Sequence, residues 1–114
     1  MNVLVLDDSL ERLKTFKTNL IGHSVTTVET AKDAINELVQ NDYNIVFLDH
    51  DLGGQAFVKS GDGTGFEVAE WLSNHPDRKP KQIVIHSFNP TGAQNMKNVL
   101  PEAQVAPGCW TTLK

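Results

Sequence analysis

The amino-acid sequence predicts an α/β fold, a doubly wound parallel sheet with helices on both faces. Three observations lead there. Short apolar runs alternate with helical patterns of roughly ten to fourteen residues, the signature of βαβ units. The runs are apolar throughout, as strands covered on both sides are. Three of them end in polar pairs or triplets, Asp7-Asp8, Asp49-His50-Asp51 and His86-Ser87. In open parallel sheets ligands bind beyond the carboxyl ends of the strands, so these are the functional candidates.

Val3 to Leu6 reads as the first buried strand. Asp8 or Ser9 can cap the next helix, whose apolar stripe is Leu10, Leu13, Phe16, Leu20 and Ile21 and which Gly22 can end. His23 to Val28 has the β-branched character of a second strand. Thr30 followed by Asp33 resembles a capping box, and Ala31, Ala34, Ile35, Leu38 and Val39 have helical spacing behind it. After a turn at Asn41-Asp42, Asn44 to Leu48 forms the third strand. Residues 53 to 65 hold five of the eight glycines and make a long, permissive loop. A helix runs from Thr64 to Asn74 with Phe66, Ala69 and Leu72 on one face and Trp71 in the core. HPDRKPK connects to a fourth strand at Ile83 to Ile85. Asn89-Pro90 starts a helix that runs to about Leu100 and stops at Pro101. Gln104 to Ala106 is a short fifth strand, and seven residues follow Pro107.

Length and composition bound the rest. The chain has 114 residues, with 39% apolar and 21% charged. That suits one domain over residues 1–114, with ordinary globular character. Ten basic residues against fourteen acidic leave a net charge of −4, no basis for gripping a long nucleic-acid tract or an anionic membrane. One cysteine, Cys109, makes no internal disulfide, and nothing marks it as a reactive thiolate. No run approaches the ~18 apolar residues of a membrane span, and no signal peptide is visible, so the expected location is cytoplasmic.

Several carboxylates at neighbouring strand ends are costly unless something compensates them. A hard cation does so, and Mg²⁺ prefers oxygen ligands with positions left for water or phosphate oxygens. Asp7, Asp8, Asp49 and Asp51 are therefore the candidate ligands for Mg²⁺ or Mn²⁺, against the plainer reading that they are solvated caps and turn residues. His86 is a general acid/base or phosphate contact, or a histidine bonded to a neighbour. His50 is expected to be structural, because strand alternation turns it away from both adjacent acids. His23 and His75 are expected at the surface. The loop at 53 to 65 is a plain insertion or a lid carrying Lys59 over the site. The amides near Thr91 and Gly92, behind the Asn89 cap, form a second candidate for holding an anion.

VLVLDD, IVFLD and IVIHS resemble the receiver domain of response regulators. DHDLGG, DGTGFEVAEWL and HSFNPTGAQNM are similar to the receiver-like family described as cyclic-phosphate processing receiver domains. This resemblance implies a flavodoxin-like, CheY-like five-stranded sheet in the order 2-1-3-4-5. It implies that Asp7 and Asp8 are the metal-binding acid pair and that Asp49 receives a phosphoryl group. It also implies that the Asp51 carbonyl completes the Mg²⁺ shell. His86 falls where ordinary receivers carry a Thr or Ser, and a one-residue shift would put Ser87 there. With His86 in that place, Ser87 is the small neighbour that leaves room for a phosphoryl group. Two departures stand out. The usual Lys-Pro is Ala106-Pro107, and too few residues remain for the last helix. One face of the sheet is then short of cover, which a homodimer would hide; monomer and homodimer both stay open.

Three functions are compatible with these residues. The first is an enzyme that processes or hydrolyses a cyclic phosphate at an RNA end or on a nucleotide. Its candidate catalytic residues are Asp49, His86 and Asp51, and its ligand-binding residues are Ser87, Asn89, Thr91 and Gly92. The second is a stand-alone receiver phosphorylated on Asp49 that controls a protein partner. The third is a module that binds a phosphate ligand without chemistry.

Overall fold

A computed structural model describes residues 1–52 and 59–107. Its elements are β1 (Asn2–Leu6), α1 (Leu10–Asn19), β2 (Ser24–Val28), α2 (Ala31–Gln40), β3 (Ile45–Leu48), α3 (Gly65–Asn74), β4 (Gln82–Ile85), α4 (Pro90–Val99) and β5 (Gln104–Val105). A short 3₁₀ turn, Pro76–Arg78, lies in the connection before β4. The strands form one sheet in the order β2-β1-β3-β4-β5, and every pairing is parallel. The expected sheet and strand order are therefore found. Residues 108–114, on which the missing helix and Cys109 fall, lie outside the described residues, as does 53–58 of the glycine-rich loop.

Strand alternation divides the core in two. Leu4, Leu6, Val46, Leu48, Ile83 and Ile85 face α2, α3 and α4. Val3, Val5, Ile45, Phe47 and Val84 face Leu13, Phe16 and Leu20 of and just beyond α1. The sequence predicts that one face is short of cover, yet on this second face Phe47 is 2% and Val84 4% exposed.

Local signals explain most helix ends. Ser9, rather than Asp8, caps α1, its hydroxyl accepting from the Arg12 amide at 3.3 Å. Thr30 caps α2 by accepting from the Asp33 amide, and Asn89 caps α4 by accepting from the Gly92 amide at 3.0 Å. Lys97 Nζ donates to the carbonyls of Pro101 and Ala103, which closes the turn into β5.

The predicted stripes need four corrections. Leu10 is 66% exposed because it opens α1 above the edge of the sheet, and Ile21 is 81% exposed because the helix has already ended at the Leu20 cap. Val39 is exposed, since the buried line on α2 is Ala31, Ala34 and Leu38. Trp71 is half-buried, packed against the core with its ring stacked on exposed His75 at 4.2 Å.

Gly65 opens α3 against the end of β3, where its amide donates to the His50 carbonyl at 2.9 Å. A Cβ there would lie 1.7 Å from the Asp49 carbonyl oxygen, a backbone atom that cannot turn aside. Gly65→Ala is expected to destabilise the fold by about 3 kcal/mol or more, the upper end of overpacking. Gly61→Ala, with nothing within 4 Å, is expected to stay within about 0.5 kcal/mol. Urea unfolding of both variants checks this, and equal midpoints would refute it.

Candidate active site at the carboxyl edge of the sheet

Leu6, Leu48 and Ile85 stand side by side in the last fully paired row of the central strands. Backbone bonding continues one residue further. The Asp7 amide donates to Val28, the Asp49 amide to Leu6 and the His86 amide to Leu48, at 3.1, 3.1 and 3.0 Å. Alternation then turns Asp7, Asp49 and His86 to the α1 side of the sheet, one beside the other. All three are buried, at 0%, 5% and 1% exposure. One ligand atom from each lies within 4.8 Å of the others. This answers the register question, because the imidazole of His86 enters the acidic group. Ser87 Oγ instead accepts from the Asn89 amide at 3.0 Å.

Asp7 is the hub. Its Oδ1 accepts from the Ser9 amide at 2.8 Å and from Arg12 Nη2 at 2.7 Å. Its Oδ2 accepts from Arg12 Nε at 2.7 Å and pairs with His86 Nε2 at 3.0 Å. Burial pushes the Asp7 carboxyl up, but the bonds from His86, Arg12 and Ser9 outweigh it and hold the group at about 2. His86 packs edge-on against Phe16, with ring centroids 5.3 Å apart. Its Nδ1 is buried and has no hydrogen-bond partner among the described residues.

Asp49 is poorly compensated by contrast. Its Oδ1 accepts from the His50 amide at 2.9 Å, and its Oδ2 has Arg12 Nη2 at 3.3 Å. Burial raises its carboxyl to about 6, reinforced by the Asp7 charge and opposed by His86 and Arg12. The two acids thus have opposite environments, one held ionised and the other reluctant to ionise.

A second polar group lies behind the first. His50 is fully buried, with Nδ1 2.8 Å from Asp51 Oδ1 and Nε2 2.8 Å from Ser60 Oγ. Asn89 Nδ2 donates to the same Asp51 oxygen at 3.0 Å, and Asn95 Nδ2 to Ser60 Oγ at 2.9 Å. Gly92 makes room for the ring, since a Cβ there would meet His50 Cγ at 2.4 Å. His50 does turn away from Asp49, but not from Asp51, because the bonding to the neighbouring strand ends at Asp49 and alternation does not extend to Asp51. The Gly92 amide, a candidate for holding an anion, is bonded to the Asn89 cap. Thr91 and Lys59 are exposed.

The structure thus brings Asp7, Asp49 and His86 together. Asp8 stands at the rim, 3.8 Å from Arg12 Nη2, and the Asp51 carboxylate faces His50 and Asn89. Arg12 is the residue that sequence reasoning missed. A signal was present, because a basic residue in the first turn of a helix opposes the helix dipole and needs an acid partner nearby. The donor set fits a divalent cation. The two buried carboxylates, Asp7 and Asp49, supply the oxygen donors that Mg²⁺ and Mn²⁺ prefer.

A five-stranded parallel sheet in this order, with a buried acidic group at its carboxyl edge, defines a receiver domain of the response-regulator type. The sequence matches the Cyclic-phosphate processing Receiver domain family over residues 2–102, and the chain belongs to that family. No curated protein matches the sequence. Among solved structures it is similar to the chemotaxis protein CheY4 of Vibrio cholerae, with 19% identity, TM-score 0.72 and coverage of 95% of this chain and 86% of that one. A two-component response regulator from Clostridium difficile gives 18%, 0.72, 96% and 84% on the same measures. A CheY-like receiver domain from Methylobacillus flagellatus gives 21%, 0.70, 94% and 84%. These likenesses concern the fold. Among the described residues no helix is long and apolar enough to cross a membrane.

The two shifted acids set opposite pH dependences. Asp49 holds its proton more tightly when folded, so with a chelator present stability is expected to fall as pH rises from about 4 to about 6. Asp7 works the other way, contributing fully above about pH 4 and losing that contribution as pH falls toward 2. Asp49→Asn removes the first cost and is expected to raise stability at neutral pH by on the order of 1–3 kcal/mol. Denaturant melts at acidic and neutral pH measure it. A variant no more stable than the wild type at neutral pH would show that the Asp49 charge is not strained.

Proposed function

We propose that this chain is a divalent-cation-dependent enzyme that opens a cyclic phosphodiester, on a nucleotide or at an RNA end. The observation that carries this reading is His86. A titratable side chain with a partnerless buried nitrogen stands beside Asp7 and Asp49, where the resemblance to receivers leads one to expect a hydroxyl. A hydroxyl neighbour serves an acyl phosphate without taking part in proton transfer, whereas imidazole can carry a proton near neutrality.

Asp7 and Asp49, with the Asp51 carbonyl and Asp8 at the rim, would hold Mg²⁺ or Mn²⁺. The cation supplies Lewis-acid polarisation of the phosphate. Asp7 orients His86 through the bond at Nε2. In the reaction, water adds to phosphorus, one ring P–O bond breaks, the freed oxygen takes a proton from the imidazole, and the proton lost by the water restores the imidazole. A cavity of about 530 Å³ lies beside Asp8, lined also by Glu29, Thr30, Lys32, Leu52 and Glu67. That volume is in the range that encloses a small ligand.

A second reading is phosphoryl acceptance on Asp49 and control of a partner protein. It is favoured by Arg12, whose guanidinium beside Asp49 puts a cation in the site although Ala106 stands where receivers carry Lys. Turnover of 2′,3′- and 3′,5′-cyclic nucleotides with Mn²⁺ separates the two. The wild type is expected to turn over, and His86→Ala and Asp49→Asn are each expected to lose about a hundredfold or more. If no substrate is hydrolysed and acetyl phosphate adds mass on Asp49, the second reading replaces the first. Metal-dependent ligand binding with neither reaction would make the chain a binding module.

A further inference from the structure

The carboxylates proposed to hold a metal are already occupied, and by a cation. A carboxylate offers about four acceptor positions. Asp7 fills all four, with the Ser9 amide, two bonds from Arg12 and the His86 imidazole. Arg12 Nη2 lies 2.7 Å from Asp7 Oδ1, 3.3 Å from Asp49 Oδ2 and 3.8 Å from Asp8 Oδ1. One charged nitrogen therefore stands where three acids converge, the place from which a cation would bridge them.

Resting on the reading that this site takes a divalent cation, we infer that Arg12 is a resident counter-ion which the metal must expel. The guanidinium and the metal are alternative occupants of one cradle. A Mg²⁺ or Mn²⁺ ion needs carboxylate oxygens at about 2.0–2.2 Å, and a guanidinium nitrogen within contact distance of the same oxygens leaves neither space nor charge for it. Of the donors on Asp7, Arg12 is the one able to leave. The Ser9 amide is backbone at the helix cap, and His86 is 1% exposed beneath Phe16. The Arg12 side chain is 33% exposed, and among the described residues its hydrogen bonds run to Asp7 and Asp49. Arg12 thus lets the fold carry its buried acids without metal, and in return it raises the metal concentration at which the site loads.

The test is Mn²⁺ affinity by calorimetry or electron paramagnetic resonance, in the wild type and in Arg12→Gln. The variant is expected to bind Mn²⁺ about tenfold more tightly or better, the scale of losing one charge-assisted hydrogen bond from a competitor. In chelator the variant is expected to melt below the wild type and to gain more from added Mn²⁺. Equal or weaker affinity in the variant would overturn the inference, and so would a failure of both proteins to bind Mn²⁺. Should the variant not fold, the Arg12 Nε–H resonance of the wild type serves instead. It is expected to lose its hydrogen-bonded shift and its exchange protection on saturation with Mg²⁺; an unchanged resonance would overturn the proposal. None of these readouts depends on turnover. A protein with the expected affinities and no cyclic-phosphate hydrolysis would overturn the proposed function and leave this inference standing.

Discussion

Two carboxylates must share a buried edge, and the rest of the site depends on that constraint. Asp7 and Asp49 each continue a central strand by one residue, and parallel register puts them side by side on the α1 face. Two like charges about 4 Å apart repel by about 4 kcal/mol at an effective dielectric near 20. That is a large part of the 5–15 kcal/mol by which a domain is typically stable. The chain divides the burden unequally. Asp7 receives nearly every available donor and stays ionised, while Asp49 keeps two weaker contacts and resists ionisation. An acid in that state is one whose charge a ligand or cation can relieve, which couples binding to protonation.

The scaffold under this edge is made rigid by close backbone approaches. Gly65 brings the start of α3 onto the Asp49 carbonyl, and Gly92 brings α4 onto the buried imidazole of His50. His50 then ties Asp51 to Ser60, and Asn89 joins the same carboxylate from the α4 cap. Two histidines of similar burial therefore differ in kind. His50 has a partner on each ring nitrogen and fixes the loops beyond β3 and β4. Among the described residues, His86 has a partner on one nitrogen only and faces the acids.

Much of this was legible in the sequence for a physical reason. Buried parallel strands are short and apolar, so their polar ends stand out, and alternation from those ends gives the facing of Asp7, Asp49 and His86. Caps at Thr30 and Asn89 were legible because their side chains act within three residues. Leu10 and Ile21 were misplaced because the apolar spacing runs on to the ends of the helix, and Val39 because the buried line of α2 is narrower than its apolar stripe. Arg12 and the bonds of His50 were missed because they depend on where a helix sits over the strand ends, which no local pattern encodes.

Arg12 also changes the meaning of the departure at Ala106-Pro107. The resemblance to receivers calls for a lysine at the end of the fifth strand, and its loss would leave the acids without a fixed cation. Here a cation enters from the opposite flank, out of the first turn of α1, and reaches Asp7 through two parallel bonds that lysine could not make. A lysine at the end of β5 would approach from the β4 side, where His86 stands. An arginine on α1 leaves that side to the imidazole. Arg12 and His86 thus meet Asp7 from two elements, the guanidinium at both carboxylate oxygens and the imidazole at Oδ2, and together they hold its charge in the buried row.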